Sequence, residues 1–144
     1  EDWLKENQDI LDLIMDNHQD LSDYTNLYSF FKEYRNVSFI DSKINKTQKL
    51  QQRINTINNN QETEKIRMEF VKQLSGQIEA LEYCRKGILY PMESTAFDKG
   101  LRSYYVMQKS IMTPSSPIGL ILEKYGISKA LLFSKIIEQR NKNK

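Results

Sequence analysis

The chain has 144 residues, of which 39% are hydrophobic and 28% charged. This length suits one domain of about 100–200 residues, and five glycines and three prolines are too few for the turns of a β-sandwich or barrel. The same composition excludes collagen-like and proline-rich disordered chains. A net charge of +2 indicates no general affinity for nucleic acid.

Charge is distributed unevenly between the two ends of the chain. Residues 1–20 carry seven acids against one base, a net charge of −6, whereas residues 120–144 carry six bases against two acids, a net charge of +4. Three interpretations follow: the two ends attract each other, each end faces a different partner, or both are solvated helix faces.

The single cysteine, Cys84, cannot form a disulfide or a zinc site of several cysteines within one chain. One cysteine is most consistent with a reducing compartment. No stretch approaches the ~18 consecutive apolar residues of a transmembrane helix. We therefore expect an intracellular protein, cytoplasmic or nuclear, that binds neither membranes nor nucleic acid.

Apolar residues spaced three and four apart predict helices throughout the first half of the chain. The pattern predicts one helix over 2–17 and a second, rich in tyrosine, over 20–36, which Asn36 ends. A short apolar connector, 37–41, then leads to a more polar helix over 42–57. Three consecutive asparagines favour a turn over a helix, so we expect a mobile turn at residues 58–63.

In the second half, the pattern predicts helices over 62–74 and 77–89. Ser75-Gly76 lies between them, and because glycine is a common helix stop, we expect a tight turn there and an antiparallel helical hairpin. Phe70, Leu74, Leu81, Cys84 and Ile88 would pack that hairpin.

A further helix over 93–112 contains Gly100, which indicates close helix contact or a kink. A loop at 113–117, a short helix at 118–124 and a last helix at 128–139 complete the chain. The predicted fold is all-α, a bundle or stack of about seven to eight amphipathic helices. It divides into an N-terminal helical segment, 1–60, and a helical region, 61–144, within one folded unit.

The sequence carries little catalytic chemistry. His18 lies between two acids, Asp16 and Asp20, but a metal site needs two or three ligands on one face, and a solvated histidine at a helix end fits better. Cys84 falls on an apolar stripe without a base to activate it, so we expect it to be buried and unreactive. We predict no catalytic residue, no metal and no cofactor, and therefore no enzyme.

Eight tyrosines allow three interpretations. They form the core with hydroxyls at its rim, they anchor a protein–protein interface, or they stack on nucleic-acid bases. The third is the weakest, because no stripe of lysine or arginine alternates with them.

Several segments in the second half resemble a known family when read in order. Residues 64–74, EKIRMEFVKQL, precede SGQ at 75–77 and IEALEYCRKGILYP at 78–91. This series resembles the CTLH motif, with Cys84 where the family has alanine. Residues 116–122, SPIGLIL, resemble the start of the CRA segment that follows CTLH, and the similarity covers roughly residues 62–139.

Membership of the CTLH–CRA family would imply a helical scaffold within a ubiquitin-ligase assembly of the GID/CTLH type. We therefore expect a non-catalytic scaffold that binds a protein partner or sister subunit, with a homo-oligomer as one form of this. The alternative is an unrelated, tetratricopeptide-like module that binds a peptide or partner helix. The residues expected at the interface are Tyr104, Tyr105, Pro117, Leu120 and Leu122. Leu120 and Leu122 would dock against the 93–112 helix.

Overall fold

The computed structural model describes residues 5, 7–22, 36–57, 63–110 and 113–142. Within these ranges the chain forms six α-helices and one 3₁₀ helix, and no strand. In chain order they are α1 (Gln8–Ser22), α2 (Val37–Thr56), α3 (Glu64–Leu89), the 3₁₀ helix (Pro91–Glu93), α4 (Ser94–Ser110), α5 (Pro117–Tyr125) and α6 (Lys129–Lys142).

The all-α prediction is confirmed, and its count of seven to eight helices is slightly high for the described residues. Buried apolar side chains from all six helices make up the hydrophobic core. Most of the predicted 20–36 helix and most of the predicted 58–63 turn fall at 23–35 and 58–62, outside the described residues. In the described ranges, no helix combines the length and apolar character needed to cross a membrane.

The predicted turn at Ser75-Gly76 is wrong, because α3 runs without interruption from Glu64 to Leu89. One glycine in a helix costs only ~1 kcal/mol relative to alanine. That cost is offset by a buried stripe that keeps its helical phase across Gly76. The buried residues of this stripe are Ile66, Phe70, Leu74, Gln77, Ala80, Leu81, Cys84 and Gly87.

A helical hairpin does exist, but α3 and α4 form it, and the chain reverses at Pro91–Glu93. The backbones of the two helices approach each other closely at two glycines. A Cβ atom at Gly100 would meet the Ala80 carbonyl oxygen and lie 2.7 Å from the backbone nitrogen of Cys84. A Cβ at Gly87 would lie 2.7 Å from Cα of Phe97. The close contact predicted at Gly100 is therefore confirmed.

The apolar connector predicted at 37–41 is wrong as well, since these residues form the first turn of α2. Asn36 caps α2. Its side-chain oxygen accepts hydrogen bonds from the backbone N–H groups of Ser38, at 2.8 Å, and Phe39, at 3.3 Å. The first backbone N–H groups of a helix have no partner within the helix, and an asparagine in this position accepts hydrogen bonds from them. The helix therefore begins five residues earlier than the 42–57 prediction.

A buried pair of amides joins α1 to α3. The Asn17 Nδ2 donates to Gln77 Oε1 at 2.8 Å, and the Gln77 Nε2 donates to Asn17 Oδ1 at 3.0 Å. Both side chains are almost completely buried. Because a buried amide is costly unless it is hydrogen-bonded, this reciprocal contact favours one register of α1 on α3.

The short helix α5 is defined at both ends by local hydrogen bonds. The Ser116 hydroxyl accepts from the Gly119 N–H at 3.0 Å, and Pro117 occupies the first turn. At the other end Gly126 takes a left-handed conformation with φ of 60°, and the Ile127 N–H donates to the Leu122 carbonyl. This C-terminal arrangement is a Schellman motif, which requires a residue that tolerates positive φ.

We predict that Gly100→Ala lowers the free energy of unfolding by about 1–3 kcal/mol, because the added methyl forces the α3 and α4 backbones apart. Gly76→Ala is the matched control. There the new Cβ meets only the flexible end of Met107, at 3.3 Å, and alanine is the better helix former. Urea unfolding of both variants checks this, and equal destabilisation by the two would contradict it.

We also predict that Gln77→Leu costs about 1–3 kcal/mol, because it leaves the buried Asn17 amide without its partner. The double variant Asn17→Leu/Gln77→Leu removes both polar groups and should recover part of that loss. The measurement is a double-mutant cycle by urea unfolding. A double variant that loses at least the sum of the two single losses would show that the pair is not coupled.

Candidate interaction surface

The described residues hold no group of three or more histidine, cysteine or acidic side chains placed to bind a metal ion. His18 belongs to α1, and its side chain is outside the described part of the structure.

Cys84 is buried against α4, as expected. Burial, together with the nearby Asp98 carboxylate, raises the pKa of its thiol to about 12. Its Sγ lies 3.8 Å from the Phe97 carbonyl oxygen, to which it donates. The thiolate is the reactive form of cysteine, so burial of this side chain in the α3–α4 contact disfavours its reactive form.

We predict that a disulfide reagent labels Cys84 in the native protein at least about a hundredfold more slowly than a free peptide thiol at the same pH. Labelling should reach one thiol per chain once urea unfolds the protein. The rate is followed by absorbance, and fast stoichiometric labelling without denaturant would refute the burial.

Of the five residues expected at an interface, only Tyr105 is exposed, at 41%. Tyr104 is fully buried and Pro117 is buried in the first turn of α5. Leu120 and Leu122 are partly buried and pack against the core. In the described fold, the side chains of Tyr104 and Pro117 therefore pack within the protein.

The short helix α5 packs mainly against α3. The main contact of the helix that carries Leu120 and Leu122 is therefore with α3, and not with the helix predicted over 93–112. Residues of α3, of α4 and of the loop before α5 together line a groove of about 290 Å³, and Gly76, Met107 and Pro117 are among them. The groove is open to solvent, and seven of its ten lining residues are polar or charged.

Exposed large apolar side chains concentrate on the α3–α4 hairpin. Of the eight such side chains among the described residues, six belong to this hairpin and two to α6. The six on the hairpin are Met68, Leu89, Tyr90, Met92, Tyr105 and Val106. Exposed apolar residues scattered singly need no explanation, so the informative members of this set are those adjacent in sequence, Leu89 with Tyr90 and Tyr105 with Val106.

The outer face of α4 combines apolar and basic side chains. Tyr105 and Val106 are neighbours there, and the Lys109 ammonium lies 4.6 Å from the centre of the Tyr105 ring. Further along, the Lys99 ammonium lies 4.4 Å from the Tyr83 ring of α3. Each contact has the geometry of a cation–π interaction, which holds the ring in a defined orientation.

The corner between α3 and α4 carries the most exposed apolar group. We call Leu89, Tyr90 and Met92 the corner patch, and Met92 is 98% exposed. Charged residues beside it are held in ion pairs. Lys86 Nζ lies 3.1 Å from Glu93 Oε2, and Arg85 Nε lies 2.8 Å from Asp41 Oδ1 on α2.

Sequence reasoning missed the corner patch. The helix predicted over 77–89 buries Leu81, Cys84 and Ile88, and the phase of that helix places Leu89 outside this stripe. That phase was the available signal, since large apolar residues outside the buried stripe must face solvent or a partner.

No protein-family model, no curated protein and no solved structure matches this chain.

Proposed function

We propose that this chain is a non-catalytic helical scaffold that binds a protein partner through its α3–α4 hairpin. One observation carries the proposal: six of the eight exposed large apolar side chains of the described residues lie on that hairpin. Aromatic residues and methionine are enriched in protein–protein interfaces, and a few well-placed anchors provide most of the binding energy.

A finer proposal concerns the assembly to which the scaffold belongs. The resemblance of residues 62–139 to CTLH–CRA sequences supports a place in a ubiquitin-ligase complex, in the cytoplasm or nucleus. The continuous α3 departs from the turn that the motif carries at Ser75-Gly76. This departure weakens the argument from the family resemblance. The scaffold role does not depend on that resemblance, because the exposed apolar surface supports it separately.

The tetratricopeptide-like alternative has less support. Such modules stack similar helix pairs at a fixed period of 34 residues. The six described helices differ greatly in length, from 9 residues in α5 to 26 in α3. The groove beside Met107, at about 290 Å³, is also small for an extended peptide, since even small-molecule sites measure about 300–1,000 Å³.

The test is quantitative affinity capture with the full chain as bait, comparing wild type with Tyr105→Ser/Val106→Ser. We expect the wild-type chain to capture a stoichiometric protein partner. The double variant should bind that partner at least roughly tenfold more weakly, because the loss of an anchoring side chain costs about 2 kcal/mol or more. The finer proposal predicts that the partner is a subunit of a ubiquitin-ligase assembly.

The control is Leu131→Ser/Ile137→Ser, which removes two exposed apolar side chains from α6 with the same chemistry. This variant should retain the partner. Equal capture by wild type and the Tyr105/Val106 variant would count against the proposed surface, and a partner from another kind of assembly would count against the finer proposal.

A further inference from the structure

We propose that the outer face of α4 binds an acidic segment of a protein partner, one in which carboxylates flank a large apolar side chain. This inference rests on the proposed function and deepens it, because it names the chemistry of the partner. Three features of α4 carry it: a row of bases outside ion pairs, an apolar centre between them, and a polar hollow beside two of them.

Three basic side chains follow the outer face of α4. Lys99, Arg102 and Lys109 are exposed, and spacings of three and seven residues keep them on one side of the helix. In the part of the chain that the structure describes, none of the three is in an ion pair, whereas six other bases are. Asp98 is the single acid of α4, so this helix carries a net charge of +2. Counting Glu79, on the neighbouring α3, still leaves an excess of positive charge.

Large apolar side chains lie between these bases. Tyr105 is 41% exposed and Val106 is 58% exposed, and both lie about one turn from Arg102 and about one turn from Lys109. An apolar centre with a polar rim is the usual arrangement of a protein–protein interface. Charges at the rim select the partner by sign, and a basic rim selects an acidic partner.

A polar hollow of about 350 Å³ lies beside the first two bases. Lys99 and Arg102 line it, together with Thr95, Asp98 and Ser103. A guanidinium can bind a carboxylate through two parallel hydrogen bonds, and the two hydroxyls are further donors. Because the two bases outnumber Asp98, the hollow attracts an anionic side chain.

The tyrosine rings favour an acidic protein over a nucleic acid. Bases of a single strand bind by stacking on aromatic faces. Here the Lys109 ammonium lies 4.6 Å from the centre of the Tyr105 ring, and the Lys99 ammonium lies 4.4 Å from that of Tyr83. One face of each ring is therefore occupied by a cation. A carboxylate needs only the ammonium groups, which the same contacts hold in place.

The row of bases sets the length of the segment. Lys99 and Lys109 are separated by about 15 Å along the helix axis. A partner helix of about three turns, or an extended segment of about five residues, covers this distance. We expect acidic residues near both ends of the segment and a large apolar residue between them. Because the bases are exposed, the binding should weaken with salt.

The experiment selects binders from a phage-displayed library of random peptides of about 15 residues, enough for four helical turns, with the full chain as bait. The selected peptides should be enriched in aspartate and glutamate around a large apolar residue. The tightest binder, labelled with fluorescein, is then titrated by fluorescence anisotropy. Raising the NaCl concentration from about 0.05 M to about 0.5 M should weaken its binding at least about tenfold, because salt screens exposed charges.

Charge reversal locates the contact. Arg102→Glu/Lys109→Glu should weaken binding of the selected peptide at least about tenfold, because it opposes like charges, and Arg102→Gln/Lys109→Gln should give a smaller loss. The matched control, Lys49→Glu/Lys65→Glu, changes the net charge equally at two exposed lysines of α2 and α3. This control should bind like wild type. Thermal melting followed by circular dichroism verifies that each variant is folded.

A selection that yields no peptide, or peptides without an excess of acids, overturns the inference. Equal binding by the Arg102→Glu/Lys109→Glu variant and its control overturns it too, as does tighter binding of a single-stranded oligodeoxythymidine than of the peptide. Self-association that Arg102→Glu/Lys109→Glu abolishes, with no acidic peptide selected, would show a second copy on this face instead. The scaffold role is judged separately, by whether Tyr105→Ser/Val106→Ser loses the captured partner.

Discussion

The close approach of α3 and α4 is the constraint on which the other contacts depend. Gly87 and Gly100 lack the Cβ atoms that would meet Phe97 and the α3 backbone. The backbones of the two helices can therefore approach each other closely at these positions. Such close packing is intolerant of added volume. Three other helices also contact α3: α2 and α5 pack against it, and α1 is joined to it through Gln77.

Helical periodicity was sufficient to predict the all-α fold, and it failed where one residue type serves two purposes. Gly76 reads as a helix stop, yet in α3 it only omits a side chain next to Met107. Asn36 reads equally as the end of one helix or the cap of the next. In both cases the register of the flanking apolar residues is the deciding information. At Gly76, burial of a continuous stripe of side chains outweighs the glycine's cost of ~1 kcal/mol. The polar Lys43 is buried, and no apolar pattern could predict that.

The candidate surface was predictable only in part, since it depends on the phase of α4 to within one residue. Tyr104 and Tyr105 are adjacent, and successive helical residues point about 100° apart, so one is buried while the other is exposed. Phe97 and Gly100 share the buried phase of Tyr104, which would have separated the two. The corner patch follows from where α3 ends and the chain reverses. The partner binding proposed for this surface depends on its shape and apolar area.

Amide hydrogen exchange across residues 72–80, followed by NMR, tests the uninterrupted α3 most directly. In a continuous helix packed on α4, the N–H groups of Gly76 and Gln77 are hydrogen-bonded within the helix, and they should exchange only through large-scale unfolding. Protection factors there should match those of Leu81 and Cys84. Rapid exchange confined to residues 75–77 would show a turn at Ser75-Gly76 and contradict the account.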